Sequence, residues 1–276
     1  EAMMQDGKAL QAGTSHYLGT HFAKAQGIQY QSAAGKLEFC HTTSWGVSTR
    51  LIGGVIMTHG DDDGLRMPPR IAPKQIVIVP MLRDKPEDAE LIAYCQSLDK
   101  ELKAKGLRTL VDAKPLKSAE KRWSWVRRGA PVIVEIGGRD VLGGNVTFMR
   151  RDRLRDGDKV ISHTKPRADF VAEAVLLLDD IQASLYAEAK ARLDANIVGG
   201  ITTFDGLKDY FGAAAESDDE GGAFRGWAKV AWSRPEGAEL EAVADRLKEL
   251  KLTIRNAPLD QGEVAGLLSR QRGRRG

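Results

Sequence analysis

Hydrophobic positions along residues 72–196 follow strand and helix periods in turn, which predicts strands separated by helices. The run 75–79 is short and β-branched, as is typical of a strand buried on both faces. Apolar residues at helical spacing follow it, and Gly106 marks the end of that helix. The same pattern predicts strands at 107–111, 132–136 and 145–149, a short helix at 118–128 and a long helix ending near Asn196. The alternation indicates an α/β layer with a mostly parallel sheet.

The regions before and after this segment differ from it in composition and in hydrophobic pattern. Residues 1–70 are rich in Gly, His, Ser and Thr and end in a linker at Pro68-Pro69, which stops any regular element. After Gly199-Gly200 we expect a small α/β unit, with strands at 224–232 and 252–255 and a helix with an apolar stripe at 240–250. Residues 213–222 are typical of a mobile loop, and the arginine- and glycine-rich tail 270–276 of disorder. Three domains are therefore predicted, spanning residues 1–70, 71–196 and 197–276.

Composition narrows the functional classes. The chain has 276 residues, 42% of them hydrophobic, which is enough to bury a core. A net charge of +3 permits an acidic partner but lacks the excess of a protein that coats DNA. No apolar stretch approaches the roughly 18 residues of a membrane span, so no membrane association is expected. Two cysteines, Cys40 and Cys95, are too few for a disulfide framework or a four-ligand zinc site, and a cytoplasmic location is expected.

Two polar clusters in the first segment are candidates for chemistry. The run 11–19 places an amide, two hydroxyls and an imidazole between glycines, which suits a polar small molecule. Taken alone, a turn followed by a helix N-cap at Thr14 or Ser15 is the commoner explanation. The second cluster, 44–54, predicts a helix that Ser48 or Thr49 caps and that runs to about Thr58.

Arg50 lies in the first turn of that second helix, where a positive charge is unfavourable to the helix dipole. An anion bound at the helix N-terminus would remove this penalty and meet the guanidinium, as a nucleotide phosphate does. The alternative is that Arg50 points into solvent at a cost of a few tenths of a kcal/mol.

Together these motifs resemble the prolyl-tRNA synthetases, of the type without an inserted editing domain, over the C-terminal two-thirds of that family. The matching motifs are residues 9–19, 44–62, 67–73, 137–140 and 150–152, with fainter similarity at 226–232 and 253–255. The resemblance implies a remnant of a class II antiparallel-sheet catalytic domain, a three-layer α/β anticodon-binding domain and a small C-terminal α/β domain.

The resemblance also implies roles for single residues of the catalytic segment. Gln11 and Thr14 match positions that contact the adenosine of ATP, and His16 matches one that lines the proline pocket. Ser44 and Gly46 match the strand that closes over the bound amino acid. The motif 3 arginine, which grips the terminal phosphates of ATP, corresponds to Arg50, in agreement with the helix-dipole argument. ATP enters with Mg²⁺ as its counter-ion.

In the second segment, Arg139 and Asp140 match positions that read anticodon bases. The family usually carries an acidic residue at Val126 and an arginine at Ile133, so we expect changed or relaxed reading of one base. Several residues keep two interpretations. Arg150 and Arg151 either touch phosphate or form a solvated basic edge, and Trp123 and Trp125 either stack on bases or pack in the interior. His59 and Asp61 to Asp63 could hold a metal, but a turn after a helix end is commoner, and no metal is assigned to them.

The implied activity is proline–tRNA ligation: ATP-dependent activation of proline to prolyl-adenylate and transfer to tRNA(Pro), by a homodimer in the complete protein. Class II motifs 1 and 2 are expected before Glu1, so this chain is not expected to activate proline alone. No zinc is expected, because no cysteine follows Cys95. A non-catalytic tRNA-binding or regulatory relative is the alternative, which the presence of Gln11, His16 and Arg50 disfavours. A generic nucleotide-binding α/β protein is disfavoured because P-loop and GxGxxG motifs are missing.

Overall fold

A computed structural model describes residues 2–215, 226–230 and 236–254. The chain divides into two compact units, of which one comprises Gln11–Lys190 and the other Met3–Leu10 with the described residues from Ala191 onward. Up to residue 60 the elements are β1 (Ala2–Met3), β2 (Ala9–Leu10), β3 (Gly13–Gly19), α1 (His21–Gln26), β4 (Gln29–Gln31), β5 (Leu37–Phe39), β6 (Thr42–Val47) and α2 (Arg50–His59). They form three two-stranded sheets, which pair β1 with β2, β3 with β6 and β4 with β5.

The middle of the chain builds one five-stranded sheet covered by helices. Its elements are β7 (Ile76–Pro80), α3 (Asp88–Ala104), β8 (Thr109–Val111), α4 (Ser118–Arg127), β9 (Val132–Ile136), α5 (Gly138–Gly143), β10 (Asn145–Arg150), β11 (Arg155–Asp156), β12 (Lys159–Val160), β13 (His163–Pro166) and α6 (Arg167–Ala195). The strand order is β13-β10-β9-β7-β8, and β11 pairs only with β12. The strands and helices predicted in this region are confirmed, and α5, β11, β12 and β13 are additions to them.

The sheet is mixed, so the expectation of a mostly parallel sheet is only partly right. β7 runs parallel to β8 and to β9, whereas β10 is antiparallel to both β9 and β13. A parallel neighbour needs a crossover of roughly a dozen residues or more. Only residues 137–144 lie between β9 and β10, so the chain has to return antiparallel.

Two apolar clusters fill the two faces of this sheet. On one face, Ile76 and Ile78 of β7 join side chains of α3 and α6 in a fully buried cluster. On the other face, Val77 and Val79 join Val126 of α4 and its neighbours. Successive side chains of a strand point to opposite faces, so a β-branched strand with no polar residue lets β7 serve both clusters.

The last segment contains β14 (Ile197–Val198), α7 (Phe204–Ala215), β15 (Trp227–Ala228) and α8 (Gly237–Glu249). The helix predicted over 240–250 is confirmed. The strand predicted over 224–232 is reduced to β15, and Phe224 and Trp232 lie outside the described residues. Of the loop predicted at 213–222, the first residues belong to α7; the rest, like the tail 270–276, lies outside the described residues.

The strand predicted over 252–255 is wrong for residues 252–254, and Arg255 lies outside the described residues. Lys251 adopts a positive φ of 54°, and the Leu252 amide donates a 2.8 Å hydrogen bond to the carbonyl of Leu247. This left-handed turn closes the end of α8, so the backbone groups that a strand would use serve as a helix cap.

Across the residues that the structure describes, every helix is either too short or too polar to cross a bilayer.

Candidate functional site

Strands β3 and β6 bring the two polar clusters of the first segment together. They pair antiparallel, with His16 opposite Ser44 and Thr14 opposite Gly46. Directly opposed residues share a face, and so do residues two apart on one strand. Four of the residues predicted to contact ATP or proline therefore lie on one face of one small sheet. The alternative of a helix N-cap at Thr14 or Ser15 is wrong, because both lie inside β3.

This sheet is open to solvent. Tyr17, Trp45 and Val47, which lie on the opposite face from His16, are 71%, 76% and 76% exposed. On the candidate face, Gln11 donates a 2.7 Å hydrogen bond from Nε2 to Oγ1 of Thr14, so the two predicted adenosine-contacting residues touch each other. A Cβ at Gly46 would meet no atom within 4 Å among the described residues. Packing among the described residues therefore gives no reason for a glycine there.

Helix α2 begins two residues after β6. The Arg50 amide donates a 3.3 Å hydrogen bond to the Ser48 hydroxyl, and the first turn contains no acidic residue. Arg50 is exposed, and its side chain has no hydrogen bond or ion pair with any residue that the structure describes. The predicted helix is confirmed. Its N-terminus, with Arg50, follows β6, the strand that carries Ser44 and Gly46.

The residues predicted to read the anticodon lie on α5, at the carboxyl end of β9. Oδ2 of Asp140 accepts the Gly137 amide at 2.8 Å, and Oδ1 accepts the hydroxyl of Thr147 at 2.8 Å. Asp140 is thereby fixed between the N-terminus of α5 and β10. Arg139 is exposed, and its guanidinium contacts no partner within the described ranges. Of the predicted pair, Arg139 is therefore the side chain that can still bind an external group.

Lys121 organises the same edge of the sheet, and sequence reasoning missed it. Its side chain is 1% exposed, and Nζ donates to the carbonyls of Pro80, Asp112 and Lys114 at 3.2, 3.1 and 3.3 Å. These carbonyls follow β7 and β8, so one ammonium ties the two strand ends together. Burial lowers the pKa of Lys121 from its ordinary value. Nothing in the sequence distinguishes it from the other basic residues of α4.

The structure places Val126 and Ile133, where changed base reading is expected, in the interior. Both side chains are completely buried, in the same apolar cluster beneath the sheet. A side chain without exposed surface cannot contact a base, so neither residue reads a base itself. Changed or relaxed reading of one base stays a prediction.

Arg150 and Arg151 do not form a phosphate-binding edge. Arg150 pairs with Asp152 at 2.8 Å and Asp180 at 2.5 Å, and Arg151 is 1% exposed and pairs with Asp61. The interpretation of both as solvated or phosphate-binding is wrong, because their donors already serve carboxylates.

The two tryptophans of α4 pack against the interior. The guanidinium groups of Arg122 and Arg155 lie 5.6 and 5.1 Å from the ring centre of Trp123. The indole of Trp125 donates a 2.7 Å hydrogen bond to Asp112. Both rings are partly buried against the cluster below the sheet, which supports packing over base stacking.

The acidic turn after α2 also finds its partners in arginines, through Asp61 and Asp63. Within the described ranges, no three His, Cys, Asp or Glu side chains lie close enough to hold a metal ion.

Residues 75–172 match the family model of the anticodon binding domain. Along almost its whole length the chain is also similar to proline–tRNA ligases. It is 56% identical over 264 residues to that of Sphingomonas elodea, and 58% identical over 266 residues to that of Sphingopyxis alaskensis. Each alignment covers 94% of this chain, and 50% and 49% of those two proteins. The ligase of Bdellovibrio bacteriovorus is 44% identical over 96% of this chain and 51% of its own length.

The chain thus spans about half the length of the curated relatives it matches, a smaller share than the two-thirds expected from the sequence. A match to the anticodon binding domain and similarity along 94% of the chain are consistent with a C-terminal portion of such a protein. The resemblance to the prolyl-tRNA synthetases therefore holds along almost the whole chain, and residues 75–172 match an anticodon binding domain.

Proposed function

We propose that this chain belongs to a cytoplasmic proline–tRNA ligase, in which it supplies part of the ATP and proline site and the anticodon-reading domain. The observation that carries the proposal is the convergence of Thr14, His16, Ser44 and Gly46 on one face of the β3–β6 sheet, with Arg50 following directly on α2. In the sequence these residues lie in two clusters, and only the pairing of the strands joins them.

In the proposed reaction, the carboxylate of proline attacks the α-phosphate of ATP, which gives prolyl-adenylate and releases pyrophosphate. The terminal ribose hydroxyl of tRNA(Pro) then attacks the prolyl carbonyl, which forms the ester and releases AMP. No protein nucleophile is needed, because positioning and charge neutralisation are sufficient. Arg50, in the first turn of α2, would grip the terminal phosphates of ATP, which brings its own Mg²⁺.

The remaining candidates have chemically matching roles. The hydrogen-bonded pair of Gln11 and Thr14 presents amide and hydroxyl groups to the adenosine. His16 and Ser44, directly opposed on the two strands, face the proline. The missing side chain at Gly46 lets the backbone of β6 approach the substrate closely. These roles come from the resemblance, and they are supported by the position of Thr14, His16, Ser44 and Gly46 on one face of a solvent-exposed sheet.

The proposed domains are a catalytic remnant at 1–70, an anticodon-binding domain at 71–196 and a small C-terminal domain at 197–276. Arg139, exposed beside the fixed carboxylate of Asp140, would donate hydrogen bonds to anticodon bases. We propose a homodimer for the complete protein and no zinc in the C-terminal segment, since its sequence offers no cysteine ligand.

The test is substitution in a complete ligase that contains this chain. We expect Arg50→Ala to cost about 2–4 kcal/mol in the activation step, seen as slower ATP-dependent pyrophosphate exchange, because it removes a charge-assisted contact to phosphate. His16→Ala should raise the KM for proline and leave the KM for ATP nearly unchanged. An unchanged exchange rate in Arg50→Ala would contradict the phosphate role, and equal losses for both substrates would make His16 a structural residue.

A further inference from the structure

The turn that follows α2 is bound tightly to the five-stranded sheet through a nearly buried arginine. Arg151 is 1% exposed, and its Nη1 donates to Oδ2 of Asp61 at 2.7 Å, while Nη2 donates to Oδ1 in a second, parallel contact. Ninety residues separate the two partners in sequence. A bidentate pair of this kind fixes the direction as well as the distance between the two groups.

The other donors of the same guanidinium extend the contact. Nε of Arg151 donates to the carbonyl of Val126 at 3.1 Å, and Nη2 also donates to the carbonyl of Gly64 at 3.1 Å. One side chain at the end of β10 therefore holds the turn after α2 and the last turn of α4 at the same time. Burial alone raises the pKa of Asp61, but the hydrogen bonds and charge of Arg151 outweigh burial, and the net pKa is lowered.

Four further contacts bind residues 61–67, which we call the strap. Asp63 receives two hydrogen bonds from Arg155, at 2.6 and 2.8 Å. The amides of Leu65 and Met67 donate to the carbonyls of Arg127 and Gly129 at 3.0 and 3.2 Å.

Close packing at Gly64 and a third arginine, Arg66, complete the strap. Gly64 has a φ of +124°, and a Cβ there would lie 2.7 Å from the backbone of Arg127, so the strap fits only with glycine at this position. Arg66 donates to the last carbonyl of α2, at His59, and to Glu188 of α6, at 2.8 and 2.5 Å.

We propose that Asp61 and Arg151 are positioning residues, which hold α2 in a fixed place on the five-stranded sheet. The consequence for activity rests on the proposed function. Because α2 begins at Arg50 and the sheet carries Arg139, the strap sets the separation between the phosphate site and the anticodon site. A tRNA bound at its anticodon needs that separation to present its terminal ribose, whereas formation of prolyl-adenylate does not.

The first test uses the chain itself and measures a distance. One spin label is placed on Cys40, which precedes β6 and α2, and the other on α6 through Leu176→Cys, a position that is 70% exposed. The buried thiol of Cys95 stays unlabelled. We expect Asp61→Ala to broaden the electron–electron distance distribution about twofold or more, since the strap opens locally. Asp62→Ala is the matched control, because Asp62 is exposed and adjacent but has no partner among the described residues.

Hydrogen exchange shows whether the variant is still folded. We expect the amides of Leu65 and Met67 to lose protection about tenfold or more in Asp61→Ala, while the amides of Ile76 and Val77 in β7 keep theirs. A distance distribution as narrow as that of the unsubstituted chain would overturn the proposal, and so would equal loss of protection in β7, which would make Asp61 a merely structural residue.

The second test separates the two steps in a complete ligase that contains this chain. We expect Asp61→Ala to keep pyrophosphate exchange within about twofold and to lower aminoacylation about tenfold or more. Undiminished aminoacylation would overturn the functional role of the strap. The distance measurement tests whether the strap positions α2, and its result does not depend on the activity of the ligase. If Arg50→Ala failed to slow pyrophosphate exchange, only the proposed function would be contradicted.

Discussion

Two sheets of the Gln11–Lys190 unit, the five-stranded sheet and the β3–β6 sheet, differ in how they obtain their stability. The five-stranded sheet is buried on both faces, and Ile76, Val77, Ile78 and Val79 of β7 have no exposed surface. The β3–β6 sheet contributes no buried side chain. Full burial of one aliphatic side chain contributes about 1.5–3 kcal/mol, so the five-stranded sheet and its helices contribute far more to the folding free energy than the β3–β6 sheet does. The candidate chemistry lies on a sheet that contributes little to stability.

This difference determines how far each sheet is held in place by contacts within the described residues. A sheet with helices on both faces holds the ends of its strands in place, as Lys121 does for β7 and β8. The β3–β6 sheet brings its polar residues to one face but leaves Trp45 and Val47 on the other face exposed. We therefore expect substitutions in the five-stranded sheet to lower the free energy of unfolding, and substitutions in the β3–β6 sheet to affect substrate use.

The largest effect is expected from a charge placed in the buried region. Val126→Glu should lower the free energy of unfolding by about 3–5 kcal/mol, because an unpaired carboxylate would lie where no surface is exposed. Adding Ile133→Arg to that variant should recover part of the loss, since both positions lie in one cluster. Urea denaturation measures both values. A loss below about 1 kcal/mol for Val126→Glu would place this residue at the surface and reopen a role in base reading.

A smaller effect follows from removing apolar volume in each region. Leu98→Ala, in the helix that packs on β7, should cost about 2–5 kcal/mol through lost burial and a cavity. Trp45→Ala, at an exposed position of β6, should change the free energy of unfolding by no more than about 0.5 kcal/mol. Equal losses in the two variants would refute the contrast between the sheets.

The acid dependence of stability sharpens the comparison at the strap. The pKa of Asp63 is lowered mainly by its hydrogen bonds to Arg155, and that of Asp61 is lowered although burial opposes the effect of Arg151. A carboxyl whose folded pKa lies below its unfolded pKa stabilises the protein above the unfolded value, and this contribution is lost as pH falls through the folded value. The stability gap between the wild type and Asp61→Asn should therefore shrink from about pH 6 to about pH 3. A gap that is independent of pH would contradict an ionised Asp61.

The smallest effect concerns the two thiols, one in each region. Burial raises the pKa of Cys95 to about 12, so its thiolate is scarce at neutral pH. Cys40 is only partly buried. An aromatic disulfide reagent should titrate one thiol per chain in the folded state and the second only after denaturation. Rapid reaction of two thiols in the folded protein would mean that α3 does not cover Cys95.

Four strands of the five-stranded sheet could be predicted because hydrophobic runs mark them, whereas the edge strand β13 (His163–Pro166) is polar and largely exposed and was not predicted. Strand β3 was harder to predict, because Gly13–Gly19 is polar. Its partner strand β6 also lies far along the chain, after α1, β4 and β5. Helix α5 spans only Gly138–Gly143, too short for a periodic signal, and it was missed.

Contacts between residues far apart in the chain could not be predicted from the sequence, for a different reason. Asp61 and Arg151 each look like ordinary charged surface residues, and no local pattern joins positions 90 residues apart. The same holds for Lys121, whose partners are backbone carbonyls. Arg50 is the opposite case, because its misfit with the helix dipole is local and could be read directly.

The most direct test of an anticodon-binding role is the affinity of this chain for tRNA(Pro) and for tRNA(Pro) with substituted anticodon bases, measured by fluorescence anisotropy over a range of salt concentrations. We expect salt-dependent binding and a preference for the natural anticodon of about 1–3 kcal/mol, which Arg139→Ala removes. Arg153→Ala is the matched control, since this arginine is exposed and follows β10 at the opposite edge of the sheet. Equal affinity for all anticodons, unchanged by Arg139→Ala, would contradict anticodon reading by this domain.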